Sequence, residues 1–114
     1  MVFIVKQQDL NNFKRKYFNL SKRLIKNGIF HDSNTVPQHR MLVSSICEWL
    51  MQRKITFYTR VFMKTGEIVD IVAPELPRPL IEVRHSELEK NKKYSEEYDH
   101  LRIFVDSSDM FKLL

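Results

Sequence analysis

A chain of 114 residues, 43% hydrophobic and 29% charged, has the size and composition of one globular domain with one core. Its lone cysteine, Cys47, excludes an internal disulfide and a thiolate metal cluster, and no apolar run approaches the ~18 residues of a membrane-spanning helix. The net charge of +5 is confined to residues 1–30, where seven basic side chains face Asp9 alone, while the rest of the chain carries twelve basic and thirteen acidic groups.

The opening MVFIV is too short for a signal-peptide core and is followed by polar residues rather than a small-residue cleavage site, so the expectation is an intracellular, cytoplasmic protein. From Asp9, a plausible N-cap, Leu10, Phe13, Tyr17, Leu20 and Leu24 recur at spacings of three and four up to Asn27-Gly28. That pattern predicts an amphipathic first helix within a basic helical extension, residues 1–30. Its polar face carries Lys14, Arg15, Lys22, Arg23 and Lys26 with no acidic partner at helical spacing. An unneutralised cationic stripe suits nucleic-acid phosphates; a solvated face is the plainer account, and an anionic membrane surface ranks lower because the leucine and aromatic face also suits a core.

The polar run HDSNTVPQH leads into a second helix, with Ser33, Asn34 or Thr35 as cap, Pro37 in the first turn and Leu42, Val43, Ile46, Trp49 and Leu50 as the buried face. Cys47 reads as a small core residue. ITFYTRVFM, residues 55–63, predicts a strand, Thr65-Gly66 a turn, and EIVDIVA the next strand. Pro74, Pro77 and Pro79 confine residues 74–79 to a loop, so the third strand begins near Leu80. Ser86 and Glu89 form a capping box for a helix to about Asp99, LRIFV predicts a fourth strand, and SSDMFKLL a terminal turn or tail. Three strands close in sequence form a meander, and the helix before the fourth crosses over to pair it in parallel. The expected fold is α/β, a mixed four-stranded sheet with helices packed on it.

Within GEIVDIVAPELPRPLIEVRH, Asp70 and Glu82 interrupt two otherwise apolar strands. A buried carboxylate is costly without a partner, so a salt bridge, a metal ion or edge exposure must account for each. Alternation sets Glu82 and Arg84 on one side of their strand, ~7 Å apart. One account pairs Glu82 with Arg84 and leaves Asp70 exposed, but it does not explain a carboxylate in the centre of IVDIV. If the two strands pair, Asp70 and Glu82 converge, and a divalent cation holds both ionised; oxygen ligands favour Mg²⁺ or Mn²⁺.

GEIVDIVA followed by LIEVRHSE resembles the PD-(D/E)xK nuclease superfamily, whose small members include the archaeal Holliday junction resolvases. The resemblance covers residues 36–106 as a core and implies a restriction-endonuclease-like αβββαβ arrangement, with the basic helix added at the N-terminal side of a single domain, 1–114. It implies a metal-dependent endonuclease or junction-processing nuclease in which Asp70 and Glu82 bind Mg²⁺ or Mn²⁺ and Arg84 occupies the lysine position of the motif. Arginine keeps the charge that steadies a phosphate but does not readily give up a proton, so the departure supports transition-state stabilisation over water activation. Lys93 or Lys90 on the following helix can supply an ammonium instead. His39 falls where many members place a helix glutamate, with Glu48 as the alternative acid deeper in that helix. The implied partner is nucleic acid, DNA ahead of RNA, and the resolvase likeness adds a homodimer. The Arg84 substitution and the missing helix glutamate favour the competing expectation, a catalytically inactive nuclease-like module that binds nucleic acid or protein.

Overall fold

A computed structural model describes residues 7–32, 35–84 and 94–106. The elements run α1 (Gln7–Tyr17), α2 (Pro37–Gln52), β1 (Tyr58–Phe62), β2 (Ile68–Val72), β3 (Leu80–Val83), a 3₁₀ helix (Glu96–Leu101) and β4 (Arg102–Val105). The four strands form one mixed sheet in the order β1-β2-β3-β4, antiparallel across the first two pairs and parallel between β3 and β4. This is the α/β arrangement with a meander and one parallel pair that the strand spacing predicts. The crossover segment is described only in its 3₁₀ part, and the Ser86–Glu89 capping box and the tail after Asp106 lie outside the described residues.

The two faces of the sheet bury different clusters. On one, α2 lays Val43, Ile46, Cys47 and Leu50 over Ile71, Ile81, Val83 and Val105; on the other, Leu10 of α1, Phe18 and Tyr98 pack against Tyr58, Val61, Val69, Val72 and Leu80. Cys47 is fully buried, and burial pushes its thiol up to about 12, as befits a core residue. Pro37 opens α2 after Val36, which offers no side-chain cap; the Thr35 hydroxyl instead donates to the Asp32 carbonyl at 2.7 Å. Among the described residues no helix is long and apolar enough to cross a membrane.

The first helix is shorter than its periodicity predicts, ending at Tyr17 rather than near Lys26. Phe18 turns inward, bridges Met63 and is almost fully buried, and the chain then runs beside β1. Asn19 N–H donates to the Phe62 carbonyl (2.9 Å), Asn27 N–H to the Phe57 carbonyl (2.7 Å) and Phe30 N–H to Thr59 Oγ1 (2.8 Å). β1 is an edge strand, and an uncovered edge exposes unpaired backbone groups; residues 18–30 cover it at the expense of two further helical turns. Lys22, Arg23 and Lys26 therefore sit in irregular chain, and only Lys14 and Arg15 of the basic stripe are helical.

Candidate active site

Regular strands alternate faces, so residues three apart point in opposite directions. Yet Tyr58 and Val61 of β1 lie in the same cluster, as do Val69 and Val72 of β2. Each strand thus carries one residue that resets its phase. Between the register pairs Thr59–Ile71 and Val61–Val69, those residues are Arg60 and Asp70. Arg60 has φ 49°, a left-handed conformation uncommon for a non-glycine residue and unexpected mid-strand. The reset turns both side chains toward a cleft of about 130 Å³ on the α2 side, shared with His31, Asp32, His39 and Ile68.

Asp70 also marks where β2 and β3 part. Their ladder pairs Val72 with Leu80 and Ile71 with Ile81. At the next step the Val83 N–H donates to Asp70 Oδ2 at 2.8 Å, so a side-chain carboxylate stands where a backbone acceptor would be. The other oxygen, Oδ1, faces His39 Nε2 of α2 at 3.4 Å, with the two side chains 19% and 9% exposed. The half-buried Asp70 is therefore held from both sides rather than exposed, and His39, where the nuclease resemblance expects a helix glutamate, is its neighbour. Glu48 points to solvent.

Glu82 is 1% exposed and takes its cation from β4: Arg102 Nη1 lies 3.5 Å from Glu82 Oε1. Arg102 Nη2 also donates to Glu67 Oε1 and Oε2 at 3.1 and 3.0 Å and to the Ser95 carbonyl at 3.3 Å. Arg84, the partner of Glu82 in the ion-pair alternative, lays its guanidinium over Phe104 instead, 3.5 Å from the ring centroid. Phe104 meets Tyr94 edge-on at 5.1 Å, and Arg102 covers Tyr94 at 4.8 Å, so two guanidinium groups enclose two rings. Burial pushes the Tyr94 hydroxyl up to about 12, and the charges of Glu82 and Asp70 add to the rise against the opposing effect of Arg84 and Arg102. Both carboxylates and both guanidinium groups thus act on one phenol.

Asp70 thus stands with His39 and the Val83 N–H where β2 and β3 part, Glu82 and Arg84 engage Arg102 and Phe104 of β4 instead, and Lys90 and Lys93 lie outside the described residues. Arg102 and Glu67 are the participants that motif reading misses. The signal in the sequence was charge balance: a carboxylate in a strand as apolar as LIEV requires a cation, and parallel pairing of LRIFV brings Arg102 beside it. Among the described residues, no group of three or more His, Cys, Asp or Glu side chains is arranged to hold a metal ion.

The basic residues divide as well. Lys14 lies over the Tyr58 ring at 5.3 Å, while Arg15, Lys22, Arg23 and Lys26 are exposed. A second cleft, of about 260 Å³, opens beside the first between the 18–30 segment and β1, and Phe30 and Arg60 line both. No protein-family model, curated protein or solved structure matches the chain.

Proposed function

We propose that the protein is a metal-dependent nuclease hydrolysing phosphodiester bonds of nucleic acid on a restriction-endonuclease-like core, with Asp70 and Glu82 as its acidic pair. One observation carries the reading. Asp70 interrupts the ladder where β2 and β3 diverge, at the register position opposite Glu82 and against His39 of the preceding helix. A purely structural carboxylate has no need of a strand phase reset to reach an open cleft.

Carboxylate oxygens are the donors that Mg²⁺ or Mn²⁺ takes, and Asp70 and Glu82 would be the residues to hold such an ion. Such an ion, when bound, would lower the pKa of a coordinated water and offset charge on the scissile phosphate. The chain's own residues prepare the rest. Val83 N–H and His39 fix the Asp70 carboxylate, Arg102 pairs with the buried Glu82, and Phe104 lies against the Arg84 guanidinium that would meet a non-bridging phosphate oxygen. DNA ahead of RNA, and a homodimer, follow from the resolvase likeness by analogy.

The second reading, a nuclease-like binding module without catalysis, is favoured by the engagement of Glu82 with Arg102 and by arginine at the lysine position. Incubating wild type and Asp70→Asn with duplex, flap, junction and single-stranded DNA and RNA in Mg²⁺ and in Mn²⁺ separates the two. The nuclease reading expects cleavage by wild type alone. Binding without cleavage in either metal, or equal cleavage by both proteins, would refute it.

A further inference from the structure

The second cleft has a composition that the acidic pair does not explain. Lys22 and Arg23 come from the segment that covers the edge of β1, Thr59, Arg60 and Phe62 from β1 itself, and Phe30 from the end of the covering segment. Among the described residues no carboxylate lines it. Arg60 pairs with Asp32 at 3.4 Å, so Lys22 and Arg23 carry the cleft's unneutralised charge, which attracts an anion; a solvated surface patch would explain that much. The two aromatic rings are harder to dismiss. Arg23 lies flat over Phe30, 3.8 Å from the centroid, whereas Lys22 and Arg60 stand off Phe62 at 5.6 and 5.7 Å. Phe62 is half-buried at the edge of the sheet, and both cations lie over its ring at longer range than Arg23 over Phe30.

Cations around an accessible ring are what an unstacked nucleotide requires: charge for its phosphates and a platform for its base. Duplex bases are stacked on one another and do not reach such a ring, whereas the bases of a single strand splay out onto aromatic and guanidinium planes. We propose that this cleft is a subsite for one nucleotide of a single-stranded nucleic acid, its phosphates held by Lys22 and Arg23 and its base stacked on Phe62 beside the Arg23–Phe30 pair. The left-handed backbone of Arg60 sets its side chain between the two clefts, so a strand seated on Phe62 continues past Arg60 toward Asp70. That placement rests on the nuclease reading; the subsite itself does not. The substrate class it names is a single strand, or a single-stranded arm of a branched molecule, over a continuous duplex.

The test is fluorescence anisotropy in chelator, with labelled oligodeoxythymidine and oligouridine of about twelve nucleotides, within the span of single-strand sites, and a duplex of the same length. Phe62→Leu is expected to weaken single-strand binding about tenfold with little effect on duplex binding, and to leave the dependence of log K on log salt unchanged. Lys22→Gln with Arg23→Gln is expected to flatten that dependence by about 0.7 for each phosphate no longer neutralised. Phe30→Leu, outside the strands, repeats the ring test should Phe62→Leu melt early. Either oligomer behaving this way supports the subsite, and the tighter binder names the strand. Affinities within twofold of wild type in both ring variants would overturn the proposal, as would equal weakening of single strand and duplex. Binding is read without metal, so the two ideas fail separately: oligomer binding with no cleavage under any metal defeats only the nuclease reading, and cleavage with no effect of the ring variants defeats only the subsite.

Discussion

Replacing Arg102 by methionine removes the one positive charge that the described residues set between Glu82 and Glu67, while keeping most of the side chain's apolar stem. In the folded protein that guanidinium is 1% exposed, as is the Glu82 side chain, and Glu67 is 10% exposed. The three groups carry a net charge of −1. Without Arg102 the same space holds two carboxylates, one of them fully buried, and breaking a buried ion pair from one side costs about 3–5 kcal/mol. For a domain of this size that is a fall in Tm of roughly 15 °C or more.

Glu82→Gln acts on the same cluster with the opposite effect on its charge. It removes an ion pair 3.5 Å long, leaves Arg102 with both close oxygens of Glu67, and converts the −1 trio into a neutral pair. Its stability is therefore expected within about 1 kcal/mol of wild type. Thermal melts followed by circular dichroism at neutral pH in chelator compare the three proteins directly. Excess Mg²⁺ is then expected to raise the Tm of wild type and not of Glu82→Gln. The reasoning is refuted if Arg102→Met melts within a few degrees of wild type, or if Glu82→Gln loses as much as Arg102→Met, since the second result would make Glu82 a structural partner rather than a carboxylate held ready for a cation.

Three other perturbations probe the surroundings. Arg84→Lys is expected to retain or raise Mg²⁺-dependent cleavage and Arg84→Ala to lower it; equal activity in all three proteins would remove Arg84 from the site. Asp70→Asn keeps an oxygen for the Val83 N–H and should melt near wild type, whereas Asp70→Ala leaves that donor without its acceptor and should cost about 1–3 kcal/mol, read by urea unfolding. The His31 imidazole is expected by NMR to titrate below 6.5, because burial and then the charges of Arg40 and His39 disfavour its protonated form, and Arg40→Gln should move the midpoint upward. A folded-state pKa below the unfolded one makes the contribution of His31 to stability complete above pH 6.5 and lost as the pH falls through the folded value. His31 is exposed, so the midpoint is the quantity to follow rather than the melt.

The sheet was legible because each strand is a short apolar run bounded by turn residues, and the parallel fourth strand followed from the length of its connection. The end of α1 was not. Leu20 and Leu24 continue the helical spacing, but periodicity does not register an edge strand that needs covering, and Phe18 gains more by packing under Tyr58 than by extending a helix. Leu20 is 56% exposed as a result. Asp70 and Glu82 were visible as charges out of place, and His39 as the occupant of a family position. Arg102 was not seen because it lies twenty residues from Glu82 and is joined to it only by the parallel pairing of β3 with β4. Arg60 gave no sign at all, since nothing in RVF announces a positive φ.

Arg60 bears on why a carboxylate can sit in the centre of IVDIV. A single extra residue in one strand would bulge the sheet and shift the register of everything beyond it. Here both strands reset at the same level, Arg60 opposite Asp70, so the pairs on either side stay in one register and the apolar faces remain covered. The reset leaves Asp70 directed at the cleft and at the Val83 N–H rather than into the second core. It also costs a left-handed arginine, held by the surrounding ladder and by the pairing of its guanidinium with Asp32 at 3.4 Å. An Arg60→Gly substitution tolerates that backbone and removes only the side chain. It should therefore leave the Asp70–Val83 hydrogen bond and the fold intact while weakening single-strand binding, and a collapse of the β1–β2 register on this substitution would mean that the guanidinium, not the ladder, holds the two strands in phase.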